Sequence, residues 1–234
     1  MKKGKGKQIA LVCAVPLECD LIMRALKGRR TAEGMTMGTI ARLQVVIAVS
    51  GPGQANAARA ATQLALMVNP RAMINIGIAG VYKGAGHDLS DVIAASSETY
   101  ADTGALERGG LIGLRQMGMP LMRKGHTQYF STFPVDKRLL KAALPHVDGS
   151  GAFLTVSQAS GTPGRASKLR QMHDALCENM EGAAVAHTCL HYGIPMLEIR
   201  GISNLAGVRD KSAWRIEAAA SNCQLAAMEI IKSL

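Results

Sequence analysis

Four side chains lying far apart in this 234-residue chain have types and neighbours suited to chemistry: Glu18, Glu181, Arg200 and Asn204. Glu18 follows Ala14-Val15-Pro16-Leu17, just past a first apolar stretch, where open α/β sheets place groups that touch ligands. In a pocket that raises its pKa, a glutamate there accepts a proton from an attacking nucleophile. On a solvated first helical turn it does nothing of the kind. Glu181 opens a helical pattern directly after Met180. Its carboxylate can accept hydrogen bonds from hydroxyls and stand beside a developing cation, or it can simply favour the helix dipole. Asn204 follows a strand pattern over 195–202 and offers donors and an acceptor but no titratable proton. Arg200, in the same tract, either lines a pocket or pairs with a carboxylate such as Glu198. His87, His126 and His187 show neither metal-ligand spacing nor a paired nucleophile, so they are read as structural, and no metal or organic cofactor is expected.

The elements that must position these residues alternate in type. Buried-strand patterns cover 8–15, 43–49, 72–76 and 195–202, with shorter β-like runs at 91–95 and 152–156. Helical spacing runs through Leu17, Leu21, Ile22 and Leu26, then over an Ala-rich stretch to about Val68. It recurs over 135–143, 165–176, 180–192 and 214–231. Strands alternating with helices predict a sheet, mostly parallel, covered on both faces. Ser50-Gly51-Pro52-Gly53 is a tight strand-to-helix turn that could touch a ligand. It follows the second strand, and Asn56 stands where a dinucleotide fingerprint has its third small residue, so NAD binding is not favoured. The stretch 101–132 is the least regular and reads as a loop flanking a site.

Composition narrows the class. Hydrophobic residues make up 48% but aromatics only 3%, so the core must be built from aliphatic residues and the 13 Met. No apolar run approaches the ~18 residues of a membrane span, and the basic start lacks a cleavage-site pattern, so a cytoplasmic protein is expected. Residues 1–7 read as a disordered basic tail and 8–234 as one catalytic domain. The five cysteines form no C-x-x-C pair, which favours reduced, buried thiols. A net charge of +10 without aromatic interleaving fits solvation and attraction of an anionic small molecule better than nucleic-acid binding.

Three separated segments resemble the purine nucleoside phosphorylase and nucleosidase superfamily: Ala14-Val15-Pro16-Leu17-Glu18, Ile74-Asn75-Ile76-Gly77-Ile78-Ala79-Gly80, and Asn179-Met180-Glu181-Gly182-Ala183-Ala184-Val185-Ala186-His187 with Ile199-Arg200-Gly201-Ile202-Ser203-Asn204. Within it the chain looks most like the futalosine hydrolases of menaquinone biosynthesis, through Glu98-Thr99-Tyr100-Ala101-Asp102, Met117-Gly118-Met119-Pro120-Leu121 and the tract from Arg200 to Asp210. The resemblance implies a three-layer α/β/α sandwich around a mixed twisted sheet, and a homo-oligomer acting on a small purine nucleoside.

It also implies roles. Glu18 would be the base that deprotonates water, Glu181 would hold the ribose with Met180 beside it, and Arg200 would line the pocket near the water. Asn204 would face the purine, its amide NH2 serving both N7 and O6 of hypoxanthine, although an amide also pairs with adenine. Ile78, Ala79, Gly80 and Val156 would contact substrate. Similar phosphorylases carry an arginine and a hydroxyl residue at the positions of Asn75 and Ile78, so hydrolysis is favoured over phosphorolysis. Futalosine's 5′ carboxyphenyl group would need an apolar wall and a cation, with Met117, Met119 and Arg123 as candidates. An adenine-releasing nucleosidase (acting on methylthioadenosine, adenosylhomocysteine or aminodeoxyfutalosine) and a non-catalytic nucleoside-binding module are the alternatives.

Overall fold

A computed structural model describes residues 7–26, 28–108 and 110–234; apart from residue 7, the expected basic tail lies outside the described residues. Strand β1 (Ile9–Cys13) leads through a 3-10 turn (Pro16–Glu18) into helix α1 (Asp20–Leu26). Short β2 (Arg29–Arg30) and β3 (Thr36–Ile40) precede β4 (Leu43–Val49), helix α2 (Gln54–Met67), β5 (Ala72–Val81) and β6 (Val92–Tyr100). Two small hairpins follow, β7 (Gly104–Glu107) with β8 (Gly110–Gly113) and β9 (Met122–Lys124) with β10 (Thr127–Tyr129). The remainder is β11 (Thr132–Pro134), α3 (Lys137–Ala143), β12 (Gly149–Thr155), α4 (Pro163–His173), β13 (Cys177–Asn179), α5 (Gly182–Tyr192), β14 (Met196–Leu205) and α6 (Ile216–Ser233).

The strands other than the two hairpins form one ten-stranded mixed sheet. β1 pairs in parallel with β4 and β5, and β5 in parallel with β14. β14 then runs antiparallel to β6, β6 parallel to β12, β12 parallel to β13, and β13 returns antiparallel to β5. These pairings close a ring of five strands, and a closed ring removes the exposed edges that a sheet otherwise presents.

Both faces of the sheet are covered, and β1 shows why. Ala10 and Val12 join a core with Ala57, Ala60, Ala61 and Leu64 of α2 and Ala184 and Val185 of α5. Ile9, Leu11 and Cys13 point the other way, into a second core with Ile22 of α1 and Cys223, Ala227 and Ile230 of α6. Because successive strand residues face opposite sides, a continuous apolar run is what a strand between two helical layers requires.

The sequence expectations for the main elements agree with the structure to within a few residues, apart from two strands. β5 continues through Gly77-Ile78-Ala79-Gly80 to Val81, where the glycines read as a strand end, because pairing with β14 and β13 persists to Val81. β6 likewise extends to Tyr100 through the polar residues Ser96, Ser97 and Glu98. The sheet is more mixed than the alternating pattern suggested, and the stretch 101–132 is not structureless, since it carries both hairpins.

Gly201 marks where β14 meets α6 most closely: a Cβ there would collide with the backbone carbonyl of Ala219. Gly201→Ala is expected to destabilise the fold by about 1–3 kcal/mol through this overpacking. Urea denaturation checks it, with the midpoint falling at unchanged slope.

Candidate active site

Glu18 ends the 3-10 turn that Pro16 begins, and its side chain folds back on the chain that carries it. Oε2 accepts the N–H groups of Ala14 (2.9 Å) and Val15 (3.1 Å), while Oε1 accepts the N–H of Ile78 on β5 (2.9 Å). The solvated alternative is thereby excluded, since Glu18 is only 4% exposed. Burial raises its pKa above the ordinary carboxylate range, assisted by the charge of Glu181 and opposed by Arg200 and the Ile78 and Val15 N–H groups. Among the described residues Oε1 accepts one hydrogen bond, and a carboxylate oxygen has room for two.

Glu181 sits at the N-terminus of α5. Its Oε1 accepts the N–H of Gly53 (2.9 Å) in the turn after β4, where Gly51 and Gly53 both adopt positive φ. Only a residue without Cβ takes that conformation freely, so the glycine turn is what brings a backbone donor to this carboxylate. The ligand-like partner of the turn is thus a side chain of the protein itself. Asn179 fixes the start of α5 from below, its Oδ1 accepting the N–H groups of Glu181 (3.0 Å) and Gly182 (2.8 Å).

Asn204 owes its aim to a β-bulge. Along β14 the register with β5 slips by one residue between Ile202 and Asn204, so Ser203 is the extra residue and the side chain after it is redirected. Asn204 Nδ2 donates to the Leu205 carbonyl (3.1 Å), and Ser203 Oγ lies 2.8 Å from Asn204 Oδ1. The Leu205 carbonyl accepts only from a donor, which fixes the amide orientation. One N–H and one lone pair of Asn204 remain. The expectation of two N–H groups facing a purine is therefore corrected: Leu205 takes one of them.

Glu18, Glu181, Asn204, Met180, Ile78, Ala79, Gly80 and Val156 all line one open cavity of ≈ 240 Å³, close to the lower end of the ~300–1,000 Å³ typical of small-molecule clefts. Arg200 is placed differently from the expectation that it lines the pocket. It is 1% exposed and lies behind the wall, with Nε 2.7 Å from Glu198 and Nη1 3.4 Å from Glu181 Oε2. Burial works against its charge, but Glu198, Glu181 and Glu18 together outweigh that and hold the guanidinium protonated.

Several lining residues carried no motif in the sequence. Ser160 is held at the wall by Glu178, which accepts its N–H (2.7 Å) and its hydroxyl (2.6 Å). Trp214, the one tryptophan of the chain, lines the cavity with Arg209 stacked over its ring at 5.0 Å. Arg209 forms no ion pair among the described residues. Met117 and Met119 lie away from the cavity with exposed side chains, and Arg123 does not line it either. Asp210 orders the loop, accepting the N–H and hydroxyl of Ser212. His187 packs against Phe133 with ring centroids 4.3 Å apart.

The model of the phosphorylase superfamily matches residues 8–234. The chain belongs to this superfamily. Relatives within it include a futalosine hydrolase of Thermus thermophilus, 37% identical over 173 residues and covering 74% of each chain. A 5′-methylthioadenosine/S-adenosylhomocysteine nucleosidase of Chromohalobacter salexigens is 29% identical over 97% of this chain and 98% of its own. Among solved structures, the corresponding Neisseria meningitidis nucleosidase, in complex with methylthio-immucillin-A, superposes with a TM-score of 0.83 at 22% identity, covering 97% of this chain and all of the other. That likeness shows the superfamily's three-layer fold. By class, this superfamily member is an enzyme acting on N-glycosyl bonds.

Removing the guanidinium leaves the buried carboxylates of Glu181 and Glu198 without their cation. Arg200→Met is expected to cost about 3–5 kcal/mol, the typical penalty for breaking a buried pair from one side. Chemical denaturation at neutral pH checks it.

Proposed function

We propose that the chain hydrolyses futalosine to hypoxanthine and dehypoxanthine futalosine, a step of menaquinone biosynthesis. The reading follows its kinship with two futalosine hydrolases, at 37% and 31% identity. The observation that carries it is the Arg209–Trp214 pair at the cavity. An aromatic face and a cation with no carboxylate partner among the described residues suit the carboxyphenyl group on the 5′ side of futalosine. A methylthio group would leave that cation without a partner.

In the proposed reaction a water held at Glu18 attacks the anomeric carbon as the bond from that carbon to the purine nitrogen breaks. The water's proton passes to Glu18, and the bonding electrons leave with the base, whose anion then takes a proton from solvent while Glu18 gives up its own. Glu181 accepts hydrogen bonds from the ribose hydroxyls and opposes the positive charge that develops on the sugar. The free N–H of Asn204 donates to N7 of the departing base. Asn204 cannot supply a proton there, so it stabilises the leaving purine by hydrogen bonding alone.

A second reading rests on Asn204 itself. Its remaining N–H and lone pair complement N7 and the 6-amino group of adenine, whereas against hypoxanthine the N–H serves N7 and the lone pair meets the O6 acceptor. An adenine-releasing nucleosidase is the runner-up for that reason, and the Chromohalobacter relative has that kind of name.

Chromatography of the base freed from futalosine, aminodeoxyfutalosine and methylthioadenosine separates the two. Hypoxanthine released from futalosine at the highest kcat/KM is expected, and preference for an adenine nucleoside would overturn the proposal. Arg209→Gln should raise KM for futalosine about tenfold, the loss of one charge-assisted contact, and leave KM for inosine nearly unchanged. Because Glu18 must be ionised to act as base and its pKa is raised, kcat/KM should fall with decreasing pH along a limb above the usual carboxylate range. A Glu18→Gln variant should lose at least a hundredfold in kcat, read in the same assay.

A further inference from the structure

Directly behind the cavity, two carboxylates that the proposed reaction does not use are buried in contact. Glu98 on β6 and Glu198 on β14 are both 0% exposed. A Cβ on Gly182 would collide with Oε2 of Glu198 and Oε1 of Glu98 alike, so the two oxygens converge on the same spot beside the first turn of α5. Glu198 Oε1 is taken by Arg200 Nε (2.7 Å), and Oε2 has no hydrogen-bond partner among the described residues. Glu98 Oε2 accepts from Thr155 Oγ1 (2.9 Å), and Oε1 is within 3.3 Å of Asn179 Nδ2.

Two ionised carboxylates cannot share a dry contact of this kind, whereas one proton between them satisfies the orphaned oxygen. We propose that Glu98 and Glu198 share a single proton, Glu98 donating to Oε2 of Glu198, and that this singly charged pair positions Arg200 between Glu18 and Glu181. Burial, the Glu198 charge and the hydrogen bond to Glu198 all push the Glu98 carboxyl well above its ordinary range, against Thr155 and Arg200.

The arrangement extends to the catalytic carboxylates through shared atoms. A Cβ on Gly77 would collide with Arg200 Nη1 and Glu18 Oε1 alike, and Nη1 also reaches Glu181. One cation thus stands among three negative groups, of which the acid–carboxylate pair supplies one. That pair draws the guanidinium to the β14 side and offsets its charge, so Arg200 lowers the pKa of Glu18 less than an uncompensated arginine would. The other titratable groups facing Glu18 are the thiols of Cys13 on β1 and Cys223 on α6, both raised and therefore neutral. Those facing the pair are Cys177 on β13 and Tyr100 at the end of β6, raised likewise. Glu98 and Glu198 are positioning residues: they touch no substrate and act through Arg200.

Two measurements test this, and the first needs no turnover. Infrared absorption distinguishes a carboxylic acid from a carboxylate by its carbonyl stretch. At about pH 8, well above the ordinary carboxylate range, a Glu18→Gln variant should retain one carboxylic-acid band, and Glu18→Gln/Glu98→Gln should lose it. The absence of that band in Glu18→Gln, or its survival in the double variant, would overturn the shared proton. The second measurement rests on the proposed hydrolysis and uses Glu98→Gln/Glu198→Gln, in which the pair carries no charge. With its counter-charge gone, Arg200 should pull the acidic limb of kcat/KM down by on the order of one pH unit. A merely structural role would lower stability and leave the limb in place, which would defeat the positioning claim. If no nucleoside is cleaved at all, the futalosine reading fails while the infrared result still decides the proton. If the double variant does not fold, the infrared comparison decides alone.

Discussion

Arg200 is the interaction on which the rest of the site depends. It is a fully buried guanidinium whose charge is shared between Glu198 and Glu181 and felt by Glu18. Placing an isolated ion in a protein interior costs several kcal/mol, and a single carboxylate rarely recovers that with good geometry. Here one carboxylate grips Nε and another meets Nη1, so the cost is met by groups from the elements that the cavity needs held in register. β14 brings Arg200, Glu198 and Asn204; the segment before α5 brings Glu181; the turn after β1 brings Glu18. A charge network spanning three separate parts of the chain holds the cavity together where apolar contacts alone would leave its walls free to slide.

The five-strand ring supplies the other half of this constraint. Glu98, Thr155, Asn179 and Glu198 belong to four of its strands, and their side chains meet beside the start of α5. Thr155 Oγ1 also accepts the N–H of Ala183 (2.7 Å), and Asn179 accepts those of Glu181 and Gly182. The first turn of a helix has four unpaired N–H groups. At α5 the N–H groups of Glu181, Gly182 and Ala183 are spent on the ring's own side chains, which leaves the Glu181 carboxylate free to turn outward. Gly182 is required there because any Cβ would displace the two carboxylates behind it.

Much of this was legible in the sequence, and the remainder was hidden for identifiable reasons. The apolar run of β1 and the Ala-rich pattern of α2 announce a sheet covered on both faces, because burial on two sides removes alternation. Glu18, Met180, Glu181 and Asn204 stand in local motifs at strand ends and a helix start, and the structure gathers them around one cavity. Glu198 and Arg200 are two apart on a strand and so share a face, which is the one local sign of their pairing. Glu98 has no such sign, since its partners lie 57 and 81 residues away. Trp214 was equally silent, and Arg209, although inside the tract that resembles the futalosine hydrolases, had no role assigned to it: the loop carrying them has no periodicity, and Asp210 shapes it through a turn formed with Ser212.

The bulge at Ser203 shows why residue type alone could not settle how a base would be read. In an unbroken register, the side chain after Ile202 would alternate with its neighbours, and Asn204 would sit on the same face as Ile202, which is wholly buried. The slip redirects Asn204 toward the cavity and brings Leu205 into reach of its amide. One hydrogen of the amide is then spent on the backbone, and the bidentate donor that an asparagine suggests becomes a donor and an acceptor. A donor beside an acceptor matches a 6-amino purine better than a 6-oxo one, so a preference for hypoxanthine would have to come from elsewhere in the cavity, or from the far end of the nucleoside. The guanidinium of Arg209 over Trp214, with no ion pair among the described residues, stands at the cavity wall with the chemistry to do the latter.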